Sequence, residues 1–242
     1  MKKLLPLLCL IAGFSSTASA ADISTMQNLA QSEFRLLSED LGSALSYKPV
    51  SPTEPLGITG FDIGLEVTST DISKSSAALA TASGGSSPIT TLIIPKIHVA
   101  KGLPFGIDVA AFAASIPTTN IRLVGGELRV ALLKGGVAYP AIALRGAMTK
   151  LSGVEQLALD TKSLDISISK GFLMFTPYAG VGQVWVTSTP QASAATVLTS
   201  ESITQNKVFV GANLNFGLAN FALEGDKTGG ASSYSAKFGF RW

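Results

Sequence analysis

The stretch Tyr234–Trp242, "YSAKFGFRW", alternates without a break. Tyr234, Ala236, Phe238, Phe240 and Trp242 take every second place, and Ser235, Lys237, Gly239 and Arg241 take the places between. Successive side chains of an extended strand point to opposite faces. The stretch is therefore a strand with one aromatic face and one polar face. Such a strand needs an apolar medium on one side and a polar interior on the other.

The same period of two runs back to residue 56. In "GFDIGLEVT", Phe61, Ile63, Leu65 and Val67 share one face, while Asp62, Gly64, Glu66 and Thr68 share the other. Repeated alternation of this kind predicts strands near 56–68, 89–101, 104–115, 120–133, 136–149, 158–170, 172–188, 202–217, 219–227 and 232–242. Their lengths suit the roughly 9–11 tilted residues that cross a bilayer. Long polar links are expected at 69–88, 115–120, 150–157, 188–202 and 226–231. Short glycine-bearing links fall between them, at "AKGL", "KGG", "SKG" and "GLAN". Short turns on one side and long loops on the other are the habit of an outer-membrane barrel. Tyr178 and Trp185 lie on opposite parities of one strand, which raises the expectation of a bulge there. Pro95, Pro140 and Pro177 each remove a ladder hydrogen bond, so bulges or strand ends are expected at them too.

Composition supports the same fold. Of 242 residues, 46% are hydrophobic and only 14% charged, with a mean hydropathy of +0.39. Yet after residue 20 no run of about 18 apolar residues exists to make a spanning helix. A barrel resolves this, because each strand shows lipid only half of its side chains. The expected fold is all-β: a transmembrane, antiparallel, up-and-down β-barrel of about ten strands, within a range of about 8–12, occupying 56–242.

Residues 1–20 read as a secretory leader. Lys2 and Lys3 precede an apolar stretch from Leu4 to Phe14, and Ala18-Ser19-Ala20 forms a small-residue cleavage site. Cys9, the one cysteine, lies inside it. The whole chain has 18 Lys and Arg against 16 Asp and Glu, so loss of Lys2 and Lys3 leaves the signs equal. No basic excess remains for nucleic acid.

Residues 21–55 are a separate segment, expected to be periplasmic. Met26, Ala30, Phe34, Leu37, Leu41 and Leu45 recur at helical spacing. Ser24 followed by Gln27 resembles a capping box, and Gly42 weakens the last turn. Pro49, Pro52 and Pro55 make a stiff linker. Three placements stay open: a plug at the periplasmic mouth, a helix lying on the inner leaflet, and a loosely held periplasmic segment.

The polar face of the strands must point inward. By parity it holds Asp62, Glu66, Lys96, His98, Asp108, Glu127, Arg129, Arg145, Asp165, Asn213, Asn215, Glu224, Lys237 and Arg241. Buried charges are costly unless paired, and small barrels leave little free interior. A charge-paired, largely plugged lumen follows, with a thin polar pore as the sharper variant. His98 is the only histidine. It lies close to the short link at Lys101-Gly102, far from any outer rim, and no serine motif accompanies it. No enzyme activity is therefore expected. With no mature cysteine and one histidine, neither a metal site nor a cofactor is expected.

The leader, the "PYAGVG" strand (Pro177–Gly182) and the terminal "AKFGFRW" (Ala236–Trp242) together resemble small Gram-negative outer-membrane β-barrel proteins of the OmpA-like and OmpW-like kind. That resemblance implies an outer-membrane location, both termini in the periplasm, and a last strand whose Tyr234, Phe238, Phe240 and Trp242 act as an assembly signal. Implied partners are outer-membrane lipid, the barrel assembly machinery and periplasmic chaperones, with a small solute or hydrophobic ligand as cargo. The expected function is a structural barrel or narrow passive pore. The alternatives are a fatty-acid-like ligand transporter with the helix as its hatch, and an outer-membrane hydrolase.

Overall fold

The structure, a computed structural model, describes residues 23–115 and 121–242. The leader with its Ala18 and Ala20 site, and most of the 115–120 link, lie outside the described residues. Ten strands form: β1 (Phe61–Asp71), β2 (Thr91–Leu103), β3 (Ile107–Ser115), β4 (Arg122–Lys134), β5 (Ala141–Ser152), β6 (Leu157–Ser169), β7 (Phe175–Pro190), β8 (Glu201–Phe216), β9 (Ala219–Thr228) and β10 (Ala231–Arg241). Each pairs antiparallel with its neighbours in sequence, and β1 pairs with β10 to close the barrel. The seam runs in register from Asp62 opposite Arg241 to Thr70 opposite Ser233. Phe61 and Trp242 exchange both backbone hydrogen bonds, at 2.9 and 3.0 Å, and their rings stack at 5.2 Å. Closure leaves no unpaired edge, the condition for strands in a bilayer. The odd positions of β1 and the even positions of β10 face outward, exposing Ile63, Leu65, Val67, Phe238 and Phe240.

The expected strands are present with shifted ends. The first begins at Phe61 rather than 56, because Gly57 turns the chain at φ 77° and the Leu56 N–H is held by the Asp108 carboxylate. The link expected at 226–231 shrinks to a two-residue Gly229-Gly230 turn between β9 and β10. It still lies at the mouth that carries the longer links 72–90 and 191–200. No bulge separates Tyr178 from Trp185. The register of β7 is continuous on both sides, and an even and an odd residue on a regular strand must diverge. Tyr178 is buried and Trp185 is 40% exposed. The irregularity lies instead in β4, between Ala131 and Leu133. Pro140 immediately precedes β5, as a strand end should. Pro95 and Pro177 sit inside uninterrupted registers.

Two α-helices complete the fold among the described residues. The first, α1 (Gln31–Leu45), starts later than the Ser24–Gln27 pattern suggests. Only a 3₁₀ turn forms at Met26–Asn28. The helix is capped where the Ala30 N–H meets Glu33 Oε2 at 2.8 Å. Gly42 serves a purpose: a Cβ there would collide with the Val186 side chain. The second, α2 (Ser76–Ala82), forms within the 72–90 link.

The helix α1 does not sit at the short-turn mouth where β1 begins. It lies inside the opposite mouth, among the long links. Gln31 Nε2 donates to the Thr199 carbonyl, Arg35 pairs with Glu201 at 2.8 Å, and the Asp40 carboxylate accepts the Ser75 N–H at 3.0 Å. Before the helix, the Ser24 and Thr25 N–H groups both donate to the Ala82 carbonyl. Ile23 and Trp242 therefore lie at opposite mouths. The reason is apolar burial. Phe34, Leu37, Leu41 and Leu45 need a dry partner, and the wall supplies one with Leu123, Leu151, Leu157, Leu159, Val184, Val186 and Ile203 pointing inward. Burying side chains of this size contributes about 1.5–3 kcal/mol each, which outweighs any preference for an exposed helix.

Candidate functional site: the occupied lumen

Below α1 the chain runs without regular secondary structure from Ser46 through the lumen to the start of β1. Its route is fixed by bonds to six strands. The Tyr47 hydroxyl is 3.1 Å from His98 Nε2 on β2. The Tyr47 carbonyl accepts from Lys207 Nζ on β8 at 2.6 Å. Lys48 pairs with Asp226 on β9 at 2.9 Å and donates to the Ser43 carbonyl at the last turn of α1, where a cation suits the helix dipole. The Val50 N–H donates to Glu224 Oε2, which the Tyr178 hydroxyl also reaches, at 2.9 and 3.1 Å. Lower down, the Thr53 N–H donates to Ser169 Oγ, Arg129 to the Pro52 carbonyl, and Arg241 to the Glu54 carbonyl. The prolines suit this path, since a proline carries no N–H that would need a partner in the interior.

The wall charges pair around this thread. Lys237 meets Asp62 at 2.9 Å, with Arg241 at 3.7 Å from the same carboxylate. Lys96 meets Glu66 at 3.3 Å, and Arg129 meets Asp108 at 2.6 Å. Arg145 bridges Glu127 at 2.7 Å and Asp165 at 3.3 Å. Every expected lumen residue lies inside the barrel, and all but the partly covered Asn215 and Arg241 are buried. Asn213 and Asn215 are joined through Asn220 Nδ2, at 2.6 and 2.7 Å, near the short-turn mouth. Tyr234, Phe238, Phe240 and Trp242 face outward.

His98 is 2% exposed, and its bonded partner is Tyr47 rather than a serine or a carboxylate. The inward-facing rings of Phe112 and Phe209 are filled against. Tyr47 tilts onto Phe112 at 5.6 Å, and Tyr178 onto Phe209 at 6.5 Å. Lys96 lies over the first ring at 5.1 Å and Lys207 over the second at 5.2 Å, a favourable placement of cation on ring face. Among the described residues no cluster could hold a metal ion. At the mouth, burial raises the carboxyl of Asp40 above the ordinary aspartate range, against the opposing effect of its bond from Ser75.

Several participants, Ser169 and Asn220 among them, were not read from the sequence. Tyr47 and Lys48 stood in a linker, and Asp226 in an expected loop. Lys207 was legible: Val208 and Val210 face lipid, so Lys207 must face inward. The apolar inward positions on the upper strands were a second missed signal. Strands apolar on both faces at one end imply a hydrophobic insert.

No family model matches the chain, and no curated protein matches it. Among solved structures, neisserial surface protein A is similar at 9% identity over 75% of this chain and 95% of that one, with a TM-score of 0.29. Ail, the attachment invasion locus protein of Yersinia pestis, is similar at 10% identity over 76% and 99%, with a TM-score of 0.27. The class rests on the barrel itself: a closed antiparallel cylinder, apolar outside and charged within, has the architecture of an outer-membrane-type β-barrel.

Proposed function

We propose that this protein is an outer-membrane barrel whose own N-terminal segment seals the lumen, so that its resting role is structural. Small solutes pass only when the segment withdraws. The observation that carries this reading is the path of residues 46–55 through the charged interior, with α1 stoppering one mouth. On this reading the mouth with the longer links faces outward, as in outer-membrane barrels, and Trp242 stands on the periplasmic side, accessible to the assembly machinery and its chaperones. The burial of His98 against Tyr47 favours a non-enzymatic barrel over a hydrolase.

Planar-bilayer conductance tests the proposal. The refolded chain from residue 21 is expected to be silent. A version lacking 21–55 is expected to open discrete small-pore steps. Steady conductance from the intact chain would sink the sealed-lumen reading.

The hatch for a hydrophobic ligand has one supporting observation, an apolar crevice of about 80 Å³ between α1 and α2, lined in part by Leu41, Leu45, Leu79 and Leu151. Ligand sites usually enclose roughly 300 Å³ or more, so the sealed barrel is the better reading. Equal binding of a labelled fatty acid to the intact and truncated chains would count further against the hatch.

A further inference from the structure

The lipid-facing wall is not uniform. Arg122 opens β4, Lys150 lies near the end of β5, and Lys162 lies on the upper half of β6; all three are exposed on the outer face. The registers place them together. Lys150 is opposite Val124 and so diagonal to Arg122. It is also opposite Asp160 and so diagonal to Lys162. Diagonal neighbours on one face are about 7–8 Å apart, within reach of long side chains. None of the three cations takes part in an ion pair among the described residues. Asp160 sits within the patch, and Glu155 lies in the link above it.

A second feature adjoins the cations. Lys162 is opposite Trp185 on β7. From Trp185 a groove of about 460 Å³ descends the outer wall over Leu164, Val181 and Val208, with Gln183 and Asn206 at its edge. Those two amides bond each other at 3.3 Å, which satisfies one donor and one acceptor at the apolar surface. The groove floor is mainly aliphatic, its upper end is an indole, and cations stand beside that end. Indoles favour the membrane–water boundary, which sets Lys162 at headgroup height.

We infer that this face of β4–β8 is a binding site for an anionic, phosphate-bearing lipid of the adjoining leaflet. The headgroup phosphate sits among Arg122, Lys150 and Lys162, and one acyl chain lies in the groove below Trp185. Charge complementarity selects the headgroup and the aliphatic floor accepts the chain. The inference rests on the membrane-barrel reading and goes beyond it by naming a lipid class and a site.

The chain has 2 tryptophans, and Trp242 lies at the far mouth, so the Trp185→Phe variant supplies the background signal. Refolded protein in neutral detergent micelles is titrated with phosphatidic acid carrying brominated acyl chains, and separately with brominated phosphatidylcholine. Trp185 quenching is expected at about tenfold or more lower mole fraction for the anionic lipid. That preference should vanish in R122Q/K150Q/K162Q and weaken in high salt, while millimolar inorganic phosphate leaves it in place. Equal quenching by both lipids, or an unchanged preference in the triple variant, overturns the lipid site and leaves the barrel reading standing. A chain that never forms a heat-modifiable barrel in micelles or bilayers overturns both.

Discussion

Lys48 offers a direct measure of how firmly the lumen is sealed. It is fully buried against Asp226, with both side chains almost without solvent contact. Replacing it by methionine keeps the packing volume but leaves Asp226 with only the Thr228 hydroxyl, at 2.8 Å. Breaking a buried pair from one side costs about 3–5 kcal/mol. At about 1.36 kcal/mol per decade, the balance between seated and withdrawn segment moves by roughly two to nearly four decades. A thiol reports this balance well. The one native cysteine is Cys9, and Ser43 on α1 is wholly buried. In Ser43→Cys protein carrying the remaining chain from residue 21, the rate of labelling by a small water-soluble maleimide tracks the open fraction. Lys48→Met should speed labelling by about 10²-fold or more, with the barrel still heat-modifiable. The double variant K48M/D226L should return most of the way, since removing both charges of a buried pair is often near neutral. Labelling unchanged in K48M would refute the lock. Labelling as fast in the double variant as in the single one would show that an uncompensated charge is not the cause.

Other perturbations separate the parts of the assembly. Arg145→Met strands Glu127 and Asp165 together and should lower barrel stability by about 3–5 kcal/mol, read from the midpoint of denaturant unfolding; adding E127Q and D165N should recover part of the loss. Gly42→Leu drives a side chain into Val186 on β7. It should destabilise helix seating by about 1–3 kcal/mol or more, visible as conductance in a chain otherwise silent. Burial raises the Asp40 carboxyl above its unfolded value, so its contribution to seating is fully present below the ordinary aspartate pKa and is lost as pH rises through the raised value. Asp40→Asn should flatten that part of the pH profile of maleimide labelling.

The wall of this barrel is written locally and its contents are not. A strand's two faces follow from a period of two, so Asp62, Glu66, Lys237 and Arg241 could be assigned inward from their parity alone. Which of them meet could not. Lys237 finds Asp62 only because β10 closes on β1 in one register, and register is a property of the whole cylinder. The segment before β1 is harder still. Its helix period is plain, but the strands it packs against are β1, β6, β7, β8 and β10, most of them far away in sequence, and no local pattern says which mouth it enters. The clue lay in the strands. Leu157, Leu159, Val184 and Val186 are apolar at inward positions, where a water-filled or salt-bridged lumen would leave them without partners. The expectation of a uniformly polar interior passed over this contrast, and with it the position of α1.

The threaded path constrains how such a barrel can form. β1 starts at the short-turn mouth, yet residues 31–45 finish at the other, so the segment has to cross the lumen, and the crossing meets the least obstruction while the β1–β10 seam is open. The seam joins residues nearly the full chain apart, Asp62 with Arg241, and contacts of that separation form late because loop closure must precede them. α1 packs on β6, β7 and β8, whose hairpin pairings are local and can form earlier, and also on β1 and β10 at the seam. A growing open sheet would therefore offer α1 its dry surface while the seam is still open, and closure would follow around a segment already seated. On this order, Lys48, Val50 and Thr53 act as guides for the closing strands as well as bolts in the finished lumen. The wall charges they bond, Asp226 and Glu224 on β9, stand on the strand next to the last one to pair.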